Sequence, residues 1–343
     1  MDDYFYPECQ LQTLNKNKNS ILTNIPKNEF ININYGMNVK IEDIEKLDMI
    51  GRGFIGKVYM VKYKQDGKIY ALKCLNKSKI KISKDIEHIN YELKILEIVE
   101  HPFILRLLAS FQTEKKIYLL TDYYSGGELF YHLRNFKRFE HSWCQFYFAQ
   151  ILMAIDFLHG RNIIYRDLKP ENIVLDSEGF LRLTDFGLAK DNIEEDKSTF
   201  TFCGTNEYLA PEIILGESYG KPVDVWCLGI LLFEMYYGLP PFYDKNKEKL
   251  FKKILFSDVN YNLFNVNVPK EAEELLMKML DKNQSTRIKV SEIKFNKYFS
   301  NFNFSELLKR KTKPPIIPNI NALESVSSKI STASDENPTF EAS

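Results

Sequence analysis

At the Ser125-Gly126-Gly127 breaker the hydrophobic pattern of this chain turns from mainly strand-like to mainly helical, and that change constrains the fold more than any other feature. From Ile44 to about Asp122 the chain runs in short β-type stretches such as KVYMVKY and IYALKCL, joined across Asp66-Gly67, a strong hairpin signal. A helical stripe interrupts them, formed by Ile86, Ile89, Leu93, Leu96 and Ile98 with Glu92 on its flank. A second strand pair, ILRLLASF and KIYLLTD, follows. A small antiparallel sheet is implied. Past Gly127 the pattern is helical. A largely apolar segment from Trp143 to Leu158 closes at Gly160, and Val225 to Phe233 reads as a buried helix, because Glu234 stops it short of membrane-spanning length.

Composition shifts on either side of this region. Residues 1 to 43 are rich in Asn and Lys, show no sustained period and read as a loose extension. Beyond about residue 300, KRKTKPPIIP leads into a Ser/Asn/Thr-rich tail (300–343) poor in core residues. Lys plus Arg (46) balance Asp plus Glu (46), so overall charge gives no argument for a nucleic-acid or membrane partner. The cysteines, Cys9, Cys74, Cys144, Cys203 and Cys227, are scattered and form no C-x-x-C pair, which fits a reducing compartment, the cytoplasm or nucleus.

Gly51-Arg52-Gly53-Phe54-Ile55-Gly56-Lys57-Val58 spells G-x-G-x-x-G-x-V, in which missing side chains let backbone N–H groups approach phosphate oxygens. Alone, it is as well explained by a Gly-rich hairpin. A Walker-type phosphate loop is opposed by Val58, which replaces the hydroxyl that would hold magnesium, and a Rossmann site by the β-run that follows the glycines. Lys73, in Ala71-Leu72-Lys73 on the next strand, can aim an ammonium at the same phosphates, and Glu92 can pair with it. Singly, each is an ordinary surface charge.

The strongest run is Tyr165-Arg166-Asp167-Leu168-Lys169-Pro170-Glu171-Asn172, followed after a short hairpin by Asp185-Phe186-Gly187. Together with Ala210-Pro211-Glu212, these motifs resemble the protein-kinase signature set in order and spacing, from about Ile44 to Phe299. The resemblance implies an α+β, bilobal kinase fold: a small antiparallel-sheet N-lobe (44–124) with one main helix, and a larger, mostly helical C-lobe (125–299). It implies ATP and Mg2+ as cofactors. ATP would lie against Ile50, the loop Gly51, Arg52, Gly53, Phe54, Ile55, Gly56 and Lys57, then Val58, Ala71, Lys73, the hinge Asp122 to Tyr124 and Glu128, with Thr121 as gatekeeper. Asp167 would accept or orient the substrate hydroxyl proton, Lys169 would neutralise the transferring phosphoryl group, and Asn172 and Asp185 would hold magnesium. Leu96, Leu107, Tyr165 and Phe186 match the family's stacked regulatory column. A scaffold that keeps this fold without catalysis is the competing class, opposed by the presence of Lys73, Glu92, Asp167, Asn172 and Asp185.

Tyr165 in place of the usual His, the Leu-Lys-Pro-Glu-Asn that follows Asp167, and the segment from Thr201 through Thr205 to Glu212 are similar to the AGC group of serine/threonine kinases. That group includes the Akt/SGK, protein kinase C and cyclic-AMP-dependent kinases. Pro314 to Pro318 resembles the PPFxP element of the AGC tail. Two departures stand out: Phe54-Ile55 at the glycine-loop tip, where the family has a small residue then Phe, and Asn206 for a customary Pro. The resemblance further implies protein substrates with arginines upstream of the acceptor, read by Glu128, Glu171 and Glu234, with Thr205 in the substrate-binding loop. It implies an upstream kinase that phosphorylates Thr201 beside a basic pocket of His88, Arg166 and Lys190. An F-x-x-F tail motif is expected to come from a partner in trans, since Phe340 is followed three residues later by Ser343.

Overall fold

The computed structural model describes residues 33–53, 55–80, 83–191, 199–262 and 266–319. Its larger sheet contains β1 (Tyr35–Gly36), β2 (Ile44–Arg52), β3 (Gly56–Tyr63), β4 (Ile69–Asn76), β5 (Leu107–Gln112) and β6 (Lys116–Asp122) in the order β1-β5-β6-β4-β3-β2, antiparallel throughout. Between β4 and β5 runs α1 (Ser83–Ile98), which buries Ile89, Leu93 and Leu96, three of the expected stripe residues. The helical part comprises α2 (Leu129–Phe136), α3 (His141–His159), α4 (Pro211–Ile214), α5 (Pro222–Tyr237), α6 (Lys247–Phe256), α7 (Lys270–Met279), α8 (Val290–Ile293) and α9 (Phe304–Leu308). A two-stranded ribbon, β7 (Ile173–Leu175) with β8 (Leu181–Leu183), lies between α3 and α4 in sequence.

Helix α5 is buried along nearly its whole length and stops at Gly238, φ +83°, where a Cβ would stand 2.3 Å from the Lys137 carbonyl oxygen, so only glycine fits. Such an all-round apolar helix must sit inside its lobe, and α3 and α7 pack on it. The two lobes touch through the bridge Ile104↔Leu183 and through a continuous core that joins Leu93, Leu96 and Leu107 to Tyr165, Phe186 and α5. The outer face of the sheet carries its own smaller core, centred on Val61, Leu72 and Leu120. No helix among the described residues is long and apolar enough to cross a membrane.

The opening 43 residues are expected to be loose, but those from Ile33 onward are not. Tyr35 and Gly36 pair with Ser110 and Ala109 on the open edge of β5, and Ile33 and Val39 are buried. Pairing through the backbone needs no apolar period, so a polar stretch with a few anchoring side chains hides it. The tail is likewise docked as far as Pro318: Leu307, Ile316 and Pro318 are buried. Phe340 and Ser343, with the expected F-x-x-F position, lie outside the described residues.

Candidate active site

The β2–β3 hairpin is closed by Gly53 N–H donating to Gly56 O at 2.9 Å, while Asn76 N–H reaches Ile55 O at 3.1 Å and ties the loop to β4. A Cβ on Gly56 would stand 2.3 Å from Cys74 O, so this glycine is demanded by sheet packing as well as by any phosphate. Phe54 at the tip lies outside the described residues. Register sets Val58 beside Lys73, and Ala71 beside Thr121, with the chain leaving β6 at Asp122. Arg106 clamps the Asp122 carboxylate through Nε (2.9 Å) and Nη2 (3.1 Å), fixing the start of the segment that continues through Tyr124 to Glu128.

Lys73 Nζ donates to Glu92 Oε1 at 2.5 Å and stands 3.8 Å from Asp185 Oδ1, so a strand, a helix and the Asp185-Phe186-Gly187 turn converge on one ammonium. Burial opposes that charge, but the carboxylates of Glu92 and Asp185 outweigh it and hold Lys73 above the ordinary lysine value. In the loop after α3, Lys169 Nζ donates to Asp167 Oδ1 (3.1 Å), Asp167 Oδ2 (3.0 Å) and Thr205 Oγ1 (3.0 Å), and Asn172 Nδ2 donates to Asp167 Oδ2 at 2.7 Å. Asp185, φ +54°, and Arg166, φ +69°, are both non-glycine residues in the left-handed region, a backbone cost that a closely held turn sustains.

Several structural supports escape a reading of the sequence. Asp224, fully buried on α5, accepts from Tyr165 N–H (2.9 Å), Arg166 N–H (2.8 Å) and His159 Nε2 (2.8 Å), so one carboxylate holds the entry to the catalytic-type loop. The Tyr165 hydroxyl donates to Thr184 O, and its ring meets Phe186 edge-on at 5.3 Å. The signal for Asp224 was present: an acidic residue just before the apolar run it belongs to, which would be costly without partners.

The acidic trio is brought together electrostatically. Burial raises Glu128, with Glu171 adding to the effect, while burial and Glu171 push Glu234 up to about 7 despite a hydrogen bond donated by the Tyr208 hydroxyl. Around Thr201 the arrangement is less direct. Lys190 Nζ donates to Thr199 Oγ1 (3.1 Å), which lies 3.4 Å from Thr201 Oγ1, and Tyr219 OH donates to Thr201 O at 2.5 Å while lying 3.4 Å from Arg166 Nη1. Lys190 is depressed by burial and by Arg166, which outweigh the opposing pull of the Glu87 and Asp191 carboxylates. His88 is half-buried on the second turn of α1.

Asn172 commits its amide nitrogen to Asp167, leaving its carbonyl oxygen, and the Asp185 carboxylate is half-exposed. Two oxygen ligands of this kind fit a small divalent cation that completes its shell with water and phosphate. No group of three or more His, Cys, Asp or Glu suited to a metal occurs among the described residues.

Comparison with known proteins agrees with this geometry. The family model described as protein kinase domain matches residues 44–299. The chain is 44% identical over 288 residues to serine/threonine-protein kinase Sgk1 of Xenopus tropicalis, covering 82% of this chain and 68% of that one. It is 44% identical over 287 residues to the cAMP-dependent protein kinase catalytic subunit of Dictyostelium discoideum, covering 82% of this chain and 43% of that one. Against serine/threonine-protein kinase sgk-1 of Caenorhabditis elegans it is 44% identical over 288 residues, covering 82% of this chain and 62% of that one. The match thus spans from about two-fifths to about two-thirds of these relatives' own length. The chain belongs to the protein kinase family, among serine/threonine kinases of the AGC type.

Proposed function

We propose that this chain transfers the γ-phosphoryl group of Mg-ATP to serine or threonine hydroxyls of protein substrates that carry arginine upstream of the acceptor. The observation that carries this reading is that two charge clusters, Lys73–Glu92–Asp185 and Asp167–Lys169–Asn172, are tied together where Thr184, next to Asp185, donates its N–H (2.9 Å) and Oγ1 (3.0 Å) to Asn172 O. Glu92 orients Lys73 so that its ammonium meets phosphate oxygens. Asp167, its carboxylate kept in place by Lys169 and Asn172, orients the acceptor hydroxyl and takes its proton through a carboxylate oxygen. Lys169 offsets negative charge on the group in transit, and Thr205 holds Lys169. Asn172 and Asp185 would hold Mg2+, which neutralises phosphate charge when bound. Because phosphoryl transfer asks mainly for alignment and charge stabilisation, these pre-formed ion pairs supply what the reaction needs.

Glu128, Glu171 and Glu234 form an acidic patch suited to guanidinium. Radiolabel transfer from γ-labelled ATP to paired peptides, with and without upstream arginines, tests activity and preference together. With Glu234 at about 7, its ionised fraction falls from about nine-tenths at pH 8 to about one-tenth at pH 6. The KM ratio between alanine and arginine peptides should therefore shrink by up to about tenfold over that range, and Glu234→Gln should abolish the change. A ratio flat from pH 6 to 8 contradicts this role for Glu234.

Phosphorylation of Thr201 would bring roughly −1.5 to −2 charges to the neighbourhood of Lys190 and Arg166 and order the segment that reaches α1. Incubation with an upstream kinase should raise wild-type activity about tenfold or more, and leave Thr201→Ala unchanged. Equal stimulation of both proteins would remove Thr201 as the switch.

A further inference from the structure

Arg310, φ +57°, follows α9 and is held from three sides. Its Nη2 lies 2.8 Å from Asp176 Oδ2 and 2.7 Å from Glu178 Oε2, and its guanidinium sits 4.2 Å from the centre of the Phe180 ring. Asp176, directly after β7, spends Oδ1 on the turn itself, accepting from Glu178 N–H (3.1 Å) and Phe180 N–H (2.9 Å). Its Oδ2 is the oxygen left for cations, and Arg310 shares it with Arg182 Nη2 at 3.5 Å. Arg182, on β8, carries its guanidinium 5.2 Å over the ring of Tyr124, in the segment connecting the lobes. A few residues along the tail, Ile316 is buried, and a Cβ on Gly179 would stand 2.0 Å from its carbonyl oxygen. The tail is therefore seated against the β7–β8 turn by two independent contacts.

We propose that Arg310 is a positioning residue for the nucleotide site, acting through Asp176 and Arg182 on Tyr124. A carboxylate oxygen shared by two guanidinium groups holds each less closely than it would hold one. With Arg310 removed, Arg182 closes on Asp176 toward ordinary ion-pair distance and withdraws from the Tyr124 face. The aromatic wall beside the hinge then loses its cation and its fixed pose. The proposal rests on the kinase reading above in one respect, that the adenine lies against the segment containing Tyr124.

The test is direct measurement of ATP affinity by calorimetry, alongside kcat and KM for ATP, on the full chain. Arg310→Ala should weaken ATP binding about fivefold and raise KM to match, with kcat within about twofold of wild type. Placed in a Tyr124→Ala background, the same substitution should change affinity less than about twofold, because the path it acts through is already broken. Arg310→Lys keeps a cation at Asp176 but loses the fork and the stack on Phe180. Its effect should be intermediate, which keeps the test open if the alanine variant does not fold. Exposed Lys309→Ala should match wild type. Unchanged affinity in Arg310→Ala, or an equal fold loss in both backgrounds, overturns the proposal. Wild type that binds no nucleotide would overturn the kinase reading with it, whereas wild type that binds while the Arg310 series stays flat overturns this proposal alone.

Discussion

Asp167→Asn is expected to lower kcat by about 10²–10⁴-fold while leaving ATP affinity within about twofold of wild type. The substitution conserves shape, and an amide oxygen can still receive Lys169 and Asn172, which now meet the carboxylate at 2.7–3.1 Å. What it removes is the negative charge and the proton-accepting capacity that the proposed mechanism sets next to the acceptor hydroxyl. The loss should therefore appear in kcat and kcat/KM equally, the pattern of an interaction made in the transition state. Rapid-quench transfer together with calorimetric ATP binding separates the two quantities. Transfer within tenfold of wild type would assign the proton-accepting role elsewhere.

Arg287→Ala is expected to destabilise the protein by roughly 3–5 kcal/mol, because it strands the buried Glu212 carboxylate. The pair is bidentate, Nη1 to Oε1 at 2.7 Å and Nη2 to Oε2 at 3.0 Å, with almost no solvent contact on either side chain. Arg287 also donates to Asp281 O and Pro222 O and lies 5.2 Å from the Trp226 ring centre, so alanine leaves a void as well as a charge. A fall in Tm of the order of 10 °C is the corresponding thermal measure for a unit of this size. Replacing both partners together by apolar residues should recover part of the loss, because most of it belongs to the unpaired carboxylate. Loss below about 1 kcal/mol would mean that water or a neighbour takes over Glu212.

Lys73, Asp167, Lys169, Asn172 and Asp185, the residues proposed for phosphoryl transfer, could be picked out from the chain because they stand in short local runs that match a family pattern, and local runs are what a sequence displays. The sheet and the long helices were legible for a similar reason: the strand and helix periods repeat within a few residues of one another. Arg287 and Arg310 were not, and Asp224 showed only its misfit beside an apolar run, since each works through partners distant in sequence: Arg287 to Glu212 across 75 residues, Asp224 to Arg166 across 58, Arg310 to Glu178 across 132. A lone arginine in a polar stretch carries no mark of being buried. The edge strand at Tyr35–Gly36 was hidden differently, since its pairing depends on which edge the sheet leaves open, a property of the finished topology.

The anchoring of the Tyr165–Arg166 amides on Asp224 also bears on lifetimes. Those two N–H groups are bonded to a carboxylate with no solvent exposure, carried by the most deeply buried helix of the larger lobe. Freeing them leaves that buried carboxylate with His159 Nε2 as its one remaining hydrogen-bond partner among the described residues, so the loop is expected to open with the surrounding core, on the slow timescale of global unfolding rather than that of loop motion. Lys73 and Glu92, by contrast, sit on separate elements of the smaller lobe joined at that point by one ion pair, which can part without disturbing any backbone hydrogen bond. The molecule therefore has a clock with two hands: a chemical loop that keeps its shape for as long as the protein stays folded, and a helix–strand contact free to make and break many times within that span.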